Sequence, residues 1–210
     1  MTAKLGNTSH AVMQQRHEAH DSLDDFPTPS WAGRALCEHV LKAEGLGPED
    51  VIWEPACNRG YLVKGLRDYC GRVRCTDIED YGWPGMEARL DFLFPTPPGI
   101  GADWIVTNPP FRLAAQFAAR CRELRPHKGY ALLVRVAFLE GQERYETLFR
   151  DHPPSIVAQF TERVPMVKGR YDPAASTATA YCWLVWSGGR DTRLQWIPPC
   201  RKQLERAGDA

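Results

Sequence analysis

The 210-residue sequence has no apolar run near the roughly 18 residues that a bilayer span takes, so no transmembrane helix is expected. Residues 1–24 lack the apolar centre of a signal peptide. They are polar and aperiodic, which predicts a disordered tail ahead of one domain over residues 25–210. The seven cysteines form no CxxC pair and sit in apolar segments, the pattern of reduced core thiols in a cytoplasmic protein. Neither GxGxxG nor GxxxxGK[ST] occurs, so the common dinucleotide and P-loop fingerprints are absent. His17 and His20 in HEAH fall short of HExxH with no third ligand placed, and no metal is expected. There is no repeat and no low-complexity block. Net charge is zero, with 26 basic and 26 acidic residues, so the chain as a whole makes no case for a polyanionic partner.

What is present is unevenly placed. Residues 1–110 hold 10 Lys and Arg against 16 Asp and Glu, a net of −6, and residues 111–210 hold 16 against 10, a net of +6. The second half is therefore the better place to meet an anion, although chance scatter of surface charge gives the same count. From residue 26 onward, strand-like and helix-like segments alternate. SWAGRALCEHVLKAEG reads as a helix with Ser30 as its cap and Gly45 as its stop. Residues 61–71 and 140–151 read as helices. So does FRLAAQFAARCREL, with Leu113, Phe117, Cys121 and Leu124 on one face. Strands are expected at 51–54, 72–76, 103–107, 129–137, 155–160, 178–186 and, as a last edge, 192–197. The alternation predicts an α/β fold with a largely parallel sheet.

In such sheets ligands lie outside the carboxyl ends of the strands. After the first strand comes EPACNRG, where Gly60 lets the backbone pass close to a ligand; a plain strand-to-helix turn reads the same way. Asp77 follows the second strand, 17 residues beyond Gly60. Its carboxylate suits two vicinal ribose hydroxyls, with Ile78 beside an adenine face; a solvated acidic turn is the other reading. Asp91 in LDFLF stands among apolar neighbours, where it needs a donor: an adenine amine, a helix end or an arginine. The stretch WIVTNPPF ends its strand on Asn108, Pro109, Pro110 and Phe111. The prolines fix φ and hold Asn108 extended. The Asn108 amide oxygen and the Pro109 carbonyl can accept two hydrogens from one planar amine, and Phe111 offers a face for its ring. A rigid turn with a buried phenylalanine is the alternative.

Taken in this order, the residues resemble class I S-adenosylmethionine-dependent amino-methyltransferases, and most closely small phage-type DNA N6-adenine methyltransferases of the gamma motif order. Asn108-Pro109-Pro110-Phe111 matches the catalytic [DNS]PP[YFW] motif. Glu54, Pro55, Ala56, Cys57 and Gly60 match the cofactor loop, with Asn58 where many relatives have glycine. Asp77 and Ile78 match the ribose and adenine contacts, Asp91 and Phe92 the adenine-side pair, and Thr28-Pro29 the element at the methionine end. The resemblance covers about residues 25–190. It implies a Rossmann-like class I methyltransferase fold, with a mostly parallel seven-stranded sheet flanked by helices. It also implies S-adenosylmethionine as cofactor.

The implied reaction is methyl transfer to the N6 amine of adenine in DNA. No separate target-recognition domain is expected, so sequence choice either falls to short loops, 138–152 and 163–177, or is relaxed. Arg163, Lys168, Arg170 and Tyr171 are the candidate substrate contacts, by phosphate pairing and stacking. RNA adenine or a protein glutamine amide would take the same chemistry. A catalytically silent nucleic-acid-binding subunit would keep the fold. A homodimer or a partner subunit is compatible with this reading, because one small domain covers little DNA, and the sequence leaves the oligomeric state open.

Overall fold

The computed structural model describes residues 24–94, 101–175, 177–189 and 191–209. Of the tail expected over residues 1–24, residues 1–23 lie outside them, and Asp24 is described. Eight strands form one sheet: β1 (Val51–Glu54), β2 (Arg72–Asp77), β3 (Ala88–Arg89), β4 (Trp104–Thr107), β5 (Gly129–Arg135), β6 (Ile156–Phe160), β7 (Tyr181–Trp186) and β8 (Arg193–Ile197). Their spatial order is β3-β2-β1-β4-β5-β7-β6-β8. Only β7 runs against its neighbours, pairing Leu132 with Leu184 across β5 and Val157 with Leu184 across β6.

The count corrects the expected seven strands. The extra one, β3, is two exposed residues beside Thr76 and Asp77, too short to carry a periodicity. The last strand is an edge as expected, parallel to β6. The central strands β4 and β7 are buried on both faces, which is why WIVT and YCWLVW read as continuous apolar runs rather than as alternation.

Helices cover both faces. On one side lie α1 (Ser30–Leu36), which continues as a π-type turn over Cys37–Leu41, and α2 (Tyr61–Leu66). They pack with Trp31, Leu36, Leu66, Trp104 and Trp183. On the other side α3 (Ala114–Leu124) and α4 (Gln142–Arg144, continuing through Tyr145–Phe149) cover Trp53, Ile105, Phe117 and Leu132. The face read for α3 is the packed one, with Phe117 and Cys121 buried and Leu113 and Leu124 half-buried. A short α5 (Arg201–Leu204) returns to α1.

Two boundary expectations change. Ser30 is not a cap: Pro29 precedes the helix, and the Ser30 hydroxyl donates to the Tyr61 carbonyl at 2.7 Å, tying α1 to α2. That contact is close because residue 65 is glycine, where a Cβ would stand 2.2 Å from the Ser30 carbonyl oxygen. α2 ends at Leu66 rather than near residue 71. All seven cysteines are unpaired, and all but Cys70 are buried. Among the described residues no helix is long and apolar enough to cross a membrane.

Candidate active site

Glu54, Asp77 and Asn108 stand at the carboxyl ends of β1, β2 and β4. β1 and β4 are neighbours whose connections leave in opposite directions, the place where open α/β sheets bind ligands. Together with Phe26, Tyr61 and Tyr81 they line a cleft of about 620 Å³, its open mouth included. Thr28, Ala56, Cys57, Ile78 and Pro110 complete the predicted part of its wall.

The amide of Asn108 is oriented by its neighbours. Its Nδ2 donates to the Phe26 carbonyl at 3.0 Å, and its Oδ1 is buried with no hydrogen-bond partner. The two prolines carry no amide hydrogen, so the first N–H after Asn108 is that of Phe111, and it donates to the Asp24 carboxylate. The segment from Asp24 to Phe26 thus straps both ends of the motif. Phe111 is half-buried against Phe26 and Tyr181, at ring-centroid distances of 5.4 and 5.9 Å. The Arg135 guanidinium lies 4.1 Å from the centre of the Phe111 ring, and the Arg135 Nε is buried without a partner.

Asp77 and Glu54, two of the acids that line the cleft, differ in environment. The Asp77 carboxylate is fixed at the end of β2 by two backbone donors, Asn58 N–H at 2.8 Å and Glu79 N–H at 3.0 Å. Burial raises its pKa and these bonds oppose the rise. Each oxygen keeps a second lone pair for a ligand hydroxyl. Glu54 is fully buried. Its Oε1 accepts the Ala56 N–H at 3.0 Å while Oε2 has no partner, and burial pushes its pKa up to about 8.

The loop between them explains a departure in the sequence. Asn58 has a φ of 49°, the left-handed region that favours glycine and that asparagine tolerates. Its Nδ2 donates to Asp25 at 2.7 Å, and Asp25 also pairs with Arg59 at 2.8 Å. Gly60 has a φ of 76°, and a Cβ there would stand 2.2 Å from the Trp83 indole.

Other predicted residues lie away from the cleft wall. Pro29, Pro55 and Pro109 set backbone around it without lining it. Asp91 accepts its own Leu93 N–H at 2.9 Å, and Phe92 is a core residue between Trp53 and Phe117, 5.1 and 4.8 Å away. In the loop after β6, Arg163 donates to the Ala178 carbonyl, Arg170 pairs with Asp172, and Tyr171 stacks on Tyr61 at 4.9 Å. Lys168 is also engaged within the chain. None of the four lines the cleft. Phe26, Tyr61, Tyr81 and Arg135 went unread. They stand outside the motifs, and only the fold brings them to the strand ends.

No family model and no curated protein matches the chain. Solved structures do. A protein described as a class I S-adenosylmethionine-dependent methyltransferase from Listeria monocytogenes matches with a TM-score of 0.58 at 13% identity, over 89% of this chain and 69% of that one. The methyltransferase subunit of a type I restriction-modification system from Streptococcus thermophilus matches with a TM-score of 0.56 at 13% identity, over 88% and 49%. The M protein of the type I restriction enzyme EcoKI matches with a TM-score of 0.53 at 16% identity, over 85% and 49%.

The chain has the class I methyltransferase fold. It spans about half the length of the two restriction subunits it resembles. Within the methyltransferase fold, the loop from Glu54 to Gly60 follows the first strand and NPPF follows the fourth.

Proposed function

We propose that this chain transfers a methyl group from S-adenosylmethionine to the N6 amine of adenine in DNA. The observation that carries the reading is the state of Asn108. Its amide nitrogen is engaged by Phe26, and its oxygen is buried, without a partner and beside the cleft. A buried acceptor of this kind is costly unless a donor arrives, and an exocyclic amine is such a donor. The matching fold and the order of the motifs support the cofactor.

The residues present fit that cofactor. Asp77, locked by two amide donors, faces the cleft with lone pairs suited to ribose hydroxyls. Ile78 is 51% exposed, an unusual position for isoleucine that an adenine face would cover. Glu54 and Thr28 would face the methionine end, where a buried carboxyl meets positive charge. When bound, S-adenosylmethionine supplies an electrophilic methyl group.

The chain's own task is to raise the nucleophilicity of an amine whose lone pair is delocalised into a ring. Asn108 Oδ1 and the Pro109 carbonyl would accept its two hydrogens and favour the rehybridised nitrogen. This stabilises the transition state without a strong base. Phe111 would stack on a base turned out of its helix. Residues 25–210 act as one domain in this reading. A homodimer or partner subunit would extend the contact to DNA.

The test is transfer of labelled methyl to unmethylated duplex DNA, with RNA and a protein extract as parallel acceptors. N6-methyladenine in DNA that falls at least ~100-fold with Asn108→Ala supports the proposal. Label in RNA or protein alone would move the substrate. No label anywhere, with cofactor binding retained, would favour a silent subunit.

A further inference from the structure

The cleft is walled largely by the acidic half of the chain and leaves the basic half without a use. α3 connects the two. It begins three residues after Phe111, and its 11 residues rise through ~16 Å at about 1.5 Å each. It ends at the opposite edge of the sheet, where β5 starts. Gln116, Ala119 and Arg122 are exposed along it, and Arg112 is exposed in the turn just before it.

At its far end Arg122 and Arg125 line a groove of about 1430 Å³, open space included, whose other walls include Lys128, Arg150 and His152. A second groove, about 1300 Å³, runs back along Gln116 and Ala119 and shares both arginines. The other charges there are matched. Arg150 pairs with Asp151 at 3.3 Å, Lys128 with Asp50 at 2.7 Å, and Glu123 with Arg120 at 2.9 Å. Among the described residues neither the Arg122 nor the Arg125 side chain has a hydrogen bond or ion pair. His152 is held below the usual imidazole range by burial and then by the Arg122 charge. Cations do favour a helix C-terminus, but that accounts for neither the two grooves nor their shared arginines.

We infer that the outer face of α3 and the groove at its end hold the sugar-phosphate backbone of the nucleic acid whose base enters the Asn108 cleft. This rests on the function proposed above. The ~16 Å of α3 matches about five nucleotides at 3.4 Å per phosphate along one strand of a duplex. Phosphates there would pair with Arg122 and Arg125, the two cations of these grooves that have no hydrogen bond or ion pair among the described residues.

The experiment is a salt series of binding titrations on a labelled ~20-bp duplex, comparing the wild-type protein with Arg122→Ser/Arg125→Ser. Lys42→Ser/Arg72→Ser, at exposed sites elsewhere, removes the same charge. The α3 double variant is expected to lose several-fold in affinity, and its slope of log affinity against log salt should fall by about 1.8. The second pair should leave the slope unchanged, and calorimetric binding of S-adenosylmethionine should be the same in all three. Equal slopes in all three proteins would overturn the inference, as would an equal fall in both variants. So would inorganic phosphate binding that needs the two arginines while duplex binding does not. Methyl transfer by the wild-type protein separates the two proposals. Transfer to DNA adenine with unaltered slopes sinks the track and keeps the function. Altered slopes without transfer keep the track and sink the function.

Discussion

At the scale of single residues, Glu54, fully buried in the cleft wall, and Arg135, half-buried over the Phe111 ring, are charges set against surroundings that do not match them. Glu54 has a folded pKa of about 8 against an ordinary 4.5, because burial disfavours its charged form. A carboxyl raised in this way takes up a proton on folding. Its contribution to stability is whole below about pH 4.5 and is lost as pH rises toward 8. Glu54→Gln keeps the shape and removes the titration. Thermal melts between pH 6 and 9 should therefore fall for the wild-type protein and stay flatter for the variant, which becomes the more stable of the two at the alkaline end. Parallel curves would mean that Glu54 does not titrate in this range. Arg135 poses a different problem, since its guanidinium occupies the Phe111 face where the proposed base would stack. A cation held over a ring by roughly 0.5–2 kcal/mol competes with the base for that face. Arg135→Met should raise 2-aminopurine fluorescence at the target position and lower KM for DNA by about 2- to 30-fold, with kcat little changed. A rise in KM would instead make Arg135 a contact to the substrate. Asn108 and Asp77 were legible in the sequence because prolines and strand ends mark them. Arg135 was not, because a lone arginine at the end of an apolar strand carries no signal of what it will face.

At the scale of elements, the turn from β1 into α2 holds the cleft open, and glycine is required there for two separable reasons. Gly60 needs its left-handed φ, and it needs the absence of a Cβ against Trp83. Gly60→Ala should cost about 1–2 kcal/mol for the backbone alone and more for displacing the indole. Trp83→Ala removes the second cost only. In a double-mutant cycle read by urea unfolding, Gly60→Ala should therefore be milder in the Trp83→Ala background, leaving the backbone part. Equal costs in both backgrounds would show that the indole moves freely. The sequence marked this turn by its small residues and its glycine. The strap that crosses it was harder to see. Asp24 and Phe26 bind Phe111 and Asn108 across 87 and 82 residues, a closure that no local pattern encodes. The same limit applies to Ser30. Its type and position fit a cap, and only the arrival of α2 turned its hydroxyl elsewhere. β1, β4 and β7 were readable as apolar runs because helices cover both their faces.

At the scale of the whole molecule, the chain closes on itself through one buried cation. Arg34 on α1 is 3% exposed. It donates to Asp209 at 2.6 and 2.8 Å, to Asp68 at 2.6 Å and to the Leu204 carbonyl at 2.8 Å. This joins α1, the end of α2 and the last described residues, 175 positions apart in sequence. Burial raises the Asp209 pKa, but the Arg34 hydrogen bond, the Arg206 N–H and the Arg34 and Lys64 charges together outweigh it, so the carboxyl sits below its ordinary 3.8. A depressed carboxyl stabilises the fold above its unfolded pKa and loses that contribution as pH falls through the folded one. Arg34→Met leaves Asp209 buried and unpaired, so a loss of about 3–5 kcal/mol at neutral pH is expected. That loss should shrink in acid once pH has fallen through the depressed Asp209 pKa, so that the carboxyl is protonated in both proteins. Arg34→Met/Asp209→Leu removes both charges and should recover most of the stability, because two apolar side chains of similar reach replace the pair. Urea titrations of the three proteins at neutral and acid pH check this. A double variant no better than Arg34→Met would mean that the guanidinium matters chiefly to Asp68 and the Leu204 carbonyl. The clamp would then belong to α1, α2 and α5 rather than to the chain end.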